Sequence, residues 1–202
     1  MKAVEFYINK FNKNKKKKVI TSQGFQALEE NYYFAQFDME VKVFFVYMQE
    51  EEFSKELSFG KYDIKNHQII INLMAVHSHN CPLDYVVMHE AFHKLQHYVM
   101  WQETGKYDED IHCTPAEEEV YFHMMEHDCI SLESYAMWEP CEMGAELFCL
   151  CFDYNIDIDI RPDLDLCKIE KYFLKNVINK IPAYSFVYNY MCNKWKEYRN
   201  NN

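Results

Sequence analysis

Residues 85–100 read YVVMHEAFHKLQHYVM, and the fold turns on how this stretch is read. Three histidines and a glutamate stand among valine, methionine, phenylalanine and leucine, where polar groups are costly to bury unless they have partners. The spacing predicts a helix. Asn80 or Cys81 followed by Pro82 supplies a start, and Gly105 supplies a stop just beyond about Gln102. On such a helix His89 and His93 lie one turn apart along the axis and only ~40° apart around it, so both rings can converge on one ion.

That geometry suits zinc. Zinc takes neutral imidazole nitrogen and, in catalytic sites, commonly has three protein ligands and a water. Glu90, beside the first histidine, can reach that water as a general base. His97 continues the row but is rotated ~80° from His89. It also lacks the intervening glycine that would let the helix end and turn a third histidine inward, so it reads as a supporting polar residue.

A third ligand must come from elsewhere. The candidates are Glu133, Glu139, Glu142 and Glu146, with Glu117 to Glu119, His123 and His127 behind them. Glu139, Glu142 and Glu146 share one helical face among apolar neighbours, where a carboxylate calls for a cation. Glu142 is favoured because Ala145, one turn on, lets two helices approach closely.

HEAFH followed by PCEMGAELF resembles the zincin-like metallopeptidases with a glutamate third ligand, the gluzincin type, and especially the ImmA/IrrE-type group. The resemblance covers about residues 40 to 150. It implies His89, His93 and Glu142 as ligands of one Zn2+ ion and Glu90 as the catalytic base, with Ala145, Glu146 and Phe148 fitting the rest of the second motif. It also implies that QIIINLM forms the edge strand along which an extended peptide binds. The chain departs from the group in two ways. The separation of His93 from Glu142 is long, with room for an extra helix near 115–128 that could act as a lid, and no helix-turn-helix module is recognisable.

Working outward, Phe25, Leu28, Tyr32 and Ala35 predict an amphipathic helix over 22–36 opened by Ser22. EVKVFFVYMQ, residues 40–49, reads as a strand; a second strand, a turn at Lys65 to His67 and a third strand from Gln68 to Met74 follow. Thr114, Pro115 and Glu117 form a capping-box helix start. A further helix begins near Ser131, breaks before Pro140 and resumes. NIDIDIRPDLDL reads as a loop, and helices near 165–181 and 183–198 close the chain. The expected fold is α+β and zincin-like: a small antiparallel or mixed sheet of about three strands, an active-site helix and a mainly helical C-terminal half. We expect one domain over 1–202, with the motifs in about 40–154 and C-terminal helices in 155–202.

Composition narrows the partners. The 202 residues carry a net charge of −11, which opposes binding to phosphate backbones, so nucleic acid is not expected. The N-terminus lacks a secretory pattern and no apolar run suggests a membrane span, which places the chain in the cytoplasm. The 8 cysteines then read mostly as reduced, small apolar core residues. The run Lys15 to Lys18 reads as a solvated loop.

The leading expectation is a zinc metallopeptidase acting on a protein or peptide, with an oxyanion donor among Tyr121, His123, His127, Tyr135 and Tyr154. The alternatives are a non-catalytic zincin-fold protein-binding module, a regulatory protease of a mobile genetic element, and a metal-free helical protein whose histidines hydrogen-bond to Glu142.

Overall fold

A computed structural model of the chain describes residues 2–21, 23–34, 37, 39–48, 59–105, 113–127, 129, 139–152 and 165–201. It is an α+β arrangement of two compact units, Met1–Ala91 and Phe92–Asn202. Among the described residues, no helix is long and apolar enough to cross a membrane.

The first unit holds helix α1 (Lys2–Lys13), strands β1 (Lys18–Ile20), β2 (Gln26–Phe34), β3 (Met39–Val46), β4 (Gly60–Asp63) and β5 (Gln68–Asn72), and the short helix α2 (Leu73–Ser78). The strands form one mixed sheet in the order β1-β2-β3-β5-β4. Only the β3–β5 pair is parallel; the other pairs are antiparallel. Leu28 faces Phe45 and Phe45 faces Ile71 across the sheet, setting three fully buried side chains in a row. Tyr7 of α1 packs on Phe45 at 4.4 Å and on Tyr32 at 5.7 Å between ring centroids, closing that face. The opposite face gathers Ala27, Phe44, Val46, Met48, Ile70 and Ala75.

Three expectations are corrected here. Residues 26–34 are strand β2, not part of a helix, so the sheet has five strands among the described residues rather than about three. Leu28 and Tyr32 are four apart, which satisfies both the helical and the two-residue period. Pairing with β3 from Ala27 to Phe34 decides for the strand. The QIIINLM strand is not at the edge: β5 lies between β3 and β4, and the two outer strands are β4 and β1. It also ends at Asn72, whose side chain accepts hydrogen bonds from the backbone N–H groups of Met74 and Met48 and so caps α2. The turn at Lys65 to His67 stands, with His67 at a φ of 51°.

Helix α3 (Leu83–Thr104) carries the opening motif and starts just after Pro82. It ends at Gly105, whose φ of 65° is the left-handed conformation that favours glycine there. The division between the units falls inside α3, after Ala91.

The second unit continues with α4 (Pro115–Glu126), α5 (Pro140–Leu150), α6 (Leu166–Phe173), which runs on into a π turn over Leu174–Ile178, and α7 (Pro182–Asn201). The capping box at Thr114 and Glu117 is formed. Phe92 stacks on Phe148 at 4.4 Å and meets Tyr184 at 5.0 Å, inside a core that includes Val120, Met124, Met143, Leu147, Phe173 and Val177. The extra helix expected near 115–128 is α4, while the helix expected near Ser131 and most of the loop over 155–166 lie outside the described residues.

In the first unit, the Tyr32 hydroxyl donates to the Asp84 carboxylate in the first turn of α3. Burial pushes the Asp84 pKa up from 3.8 to about 6. The folded state therefore holds this proton more tightly than the unfolded chain. The resulting stability is complete below pH 3.8 and is lost as pH rises through about 6. Asp84→Asn keeps an acceptor for Tyr32 and cannot ionise. Denaturation midpoints across this window should fall for the parent by on the order of 1–2 kcal/mol more than for the variant. An identical loss in both would contradict the assignment.

Candidate metal centre

Helix α3 buries an unusual run of polar side chains. His89, Glu90, His93, Gln96 and His97 are all under a tenth exposed. Burial on this scale requires each group to find an oppositely matched neighbour or an ion.

A nitrogen from each of His89 and His93 and an oxygen from Glu142 all lie within 4.8 Å of one another, and this is the metal-competent cluster found among the described residues. Glu142 sits in the first turn of α5, behind Pro140 at the first helical position. Its Oε2 is 3.3 Å from Nε2 of His93. Ligand atoms at ~2.0–2.1 Å from one tetrahedral ion are separated by about 3.3 Å, a spacing that this pair shares and that an ordinary hydrogen bond shares too. Two imidazoles and a carboxylate are also a donor set that zinc accepts.

The other carboxylates expected as alternatives are placed differently. Glu139 is exposed at the N-cap of α5 and accepts a contact from the Cys141 thiol. Glu146 is fully buried one turn beyond Glu142 and is not in the cluster. Glu118 and Glu119 are exposed, and Glu119 pairs with Lys180 at 3.6 Å. His123 stacks on Tyr172 at 4.3 Å and lies 4.4 Å from the His127 ring. Glu133, Tyr135 and Tyr154 lie outside the described residues.

Cys141, next to Glu142 in sequence, is not in the cluster. Burial, reinforced by the Glu142 and Glu139 carboxylates, pushes its thiol far up, and Cys113 is pushed up to about 12 by burial and Glu117.

Glu90, in the first unit, lies against β4. A Cβ added at Gly60 of β4 would stand 3.0 Å from both Cγ and Oε1 of Glu90. The missing side chain at Gly60 is therefore what lets the carboxylate rest against the strand backbone.

Sequence reasoning missed the groups that surround His93. Gln96 Oε1 is 2.7 Å from His93 Nδ1, while Gln96 Nε2 donates to Glu117 Oε1 at 2.7 Å and to the Cys141 carbonyl at 3.0 Å. Glu117 is fully buried. Its Oε2 accepts from the Thr114 backbone N–H and hydroxyl, both at 2.8 Å, and from the Tyr184 hydroxyl at 3.2 Å. Burial raises the Glu117 pKa, and the bonds from Gln96, Thr114 and Tyr184 oppose that rise. The signal for Gln96 was its place: an uncharged polar residue three positions after His93 on a helix reaches the same face.

Gly144 leaves space for this network. A Cβ there would stand 2.6 Å from Glu117 Oε1 and 3.0 Å from Gln96 Nε2. Ala145, expected to let two helices approach closely, is fully buried next to this glycine.

No protein-family model matches this sequence, and no curated protein or solved structure matches it either.

Alanine is the better helix former by about 1 kcal/mol, so an open site would gain from Gly144→Ala. Here the variant should instead lose about 1–3 kcal/mol by overpacking against a buried carboxylate, read as a lower denaturant midpoint. A midpoint at or above that of the parent would show that the network gives way freely.

Proposed function

We propose that the chain is a zinc-dependent metallopeptidase of zincin-like fold, with His89, His93 and Glu142 as metal ligands and Glu90 as general base. The observation that carries this reading is the convergence of His89 and His93 with Glu142 from a separate helix, with Glu90 next in sequence to a ligand. The resemblance of HEAFH and PCEMGAELF to the ImmA/IrrE-type motifs supports the same reading.

Bound there, a zinc ion would lower the pKa of a water and polarise a carbonyl. Glu90 takes the proton of the attacking water and passes it to the departing amine. Its contact with Gly60 supports β4 as the strand along which an extended peptide lies. β4 pairs on one side with β5, which leaves its other edge as the outer edge of the sheet among the described residues. Main-chain hydrogen bonds to such an edge hold a peptide largely irrespective of its sequence, and pockets for alternate side chains would supply selectivity. The net charge of −11 steers basic or neutral peptides toward the protein and acidic ones away.

The alternative of a binding module with a purely structural metal does not explain Glu90, because a structural site has no use for a base beside its ligands. Glu90→Gln should bind zinc with the stoichiometry of the parent and lose cleavage of a mixed peptide library by at least 10²–10⁴-fold. Unchanged cleavage by the variant would remove Glu90 from the mechanism. A parent that cleaves nothing while holding zinc would favour the binding module.

A further inference from the structure

We infer that Gln96 is a positioning residue that sets both His93 and Glu142 for the metal, with Glu117 as the buried anchor that orients it. The inference rests on the metal-site reading above and adds a role that the ligand motif does not contain.

The Gln96 amide points one way only. Oxygen and nitrogen of an amide are distinguished by their neighbours. One end of Gln96 faces a Glu117 carboxyl oxygen and the Cys141 backbone carbonyl, at 2.7 and 3.0 Å, and the backbone carbonyl can only accept. That end is the NH2 group, and the two acceptors use both of its protons. The oxygen is thereby turned to His93 Nδ1, which must carry a proton to donate across the 2.7 Å gap.

The consequence falls on the other ring nitrogen. Whether the imidazole is charged or neutral, Nδ1 keeps its proton, and the proton lost on metal binding is the one at Nε2. Nε2 is the atom that faces Glu142 at 3.3 Å. Gln96 therefore selects the tautomer that ligates.

The same amide reaches the second ligand. The Cys141 carbonyl that accepts from Gln96 belongs to the peptide group joining Cys141 to Glu142. One side chain thus ties the ring of one ligand to the backbone of another, across two helices.

Glu117 holds the amide in this sense. Its Oε2 is occupied by Thr114 and Tyr184, and Oε1 is left pointing at Gln96. The Thr114 hydroxyl also accepts from the Glu117 backbone N–H at 3.3 Å, which directs its own proton to the carboxylate. A capping residue of α4 is in this way also the anchor of the metal centre.

The test combines zinc affinity with the protonation of the His93 ring. In the metal-free parent, at a pH where the ring is neutral, long-range 15N–1H spectra should show His93 protonated at Nδ1. This measurement needs no variant and no metal. Gln96→Met, similar in size but without donor or acceptor, should lower zinc affinity by about 10–100-fold in chelator competition. Its His93 ring should shift toward protonation at Nε2. The double variant Q96E with E117Q restores an acceptor for Nδ1 and a donor between positions 117 and 96, and should recover part of the lost affinity.

Zinc bound equally tightly by parent and Q96M, or a parent ring protonated at Nε2, would overturn the role of Gln96 while leaving the ligands in place. A parent that binds no zinc would instead overturn the metal reading itself.

Discussion

Helix α3 buries five polar side chains within nine residues, and each of them has to be made tolerable there. Two of the five are imidazoles that meet a carboxylate from α5, one is an amide with partners at both ends, one is the glutamate beside β4 of the first unit, and the fifth is His97. Without these partners each group would cost several kcal/mol to desolvate, and the helix would be better placed on the surface. The apolar surroundings that make the burial costly also make the site useful. A low local dielectric strengthens the hold of fixed charges on an ion and on a water beside it.

The network behind His93 extends this constraint through the helices of the second unit. Gln96 on α3 reaches Glu117 on α4 and the Cys141 carbonyl on α5, and Tyr184 on α7 reaches Glu117. A fully connected buried network specifies one arrangement of its helices, because any slip leaves a buried donor or acceptor unmatched. Gly144 marks where that arrangement is tightest. The placing of His93 and the packing of these helices are therefore set by the same hydrogen bonds.

How much of this was legible in the sequence follows from how local each feature is. His89, Glu90 and His93 share one helix, so their spacing alone fixes their relation. The apolar helix face brought forward Glu139, Glu142 and Glu146 alike, and only the tertiary structure puts Glu142 rather than the other two with the histidines. Gln96 could not be read in the same way, since its partners come from α4 and α5 and only tertiary structure brings them together. Glu117 was legible as half of a capping box, which it is, but its second oxygen faces inward and a local motif says nothing of that. The sheet was harder still. Leu28 and Tyr32 fit two periods at once, and only pairing with β3 decides between them. The order that puts β4 outside β5 depends on a parallel β3–β5 pair, which no stretch of sequence announces.

The central claim is that one ion is held by two imidazoles and a carboxylate. X-ray absorption at the zinc edge on the reconstituted native protein tests it most directly. The account predicts a first shell of nitrogen and oxygen at about 2.0–2.1 Å, with outer-shell scattering from two imidazole rings and no sulfur. A sulfur shell at about 2.3 Å would move the metal to the cysteines, and a spectrum of hydrated zinc alone would leave His89, His93 and Glu142 without an ion to hold.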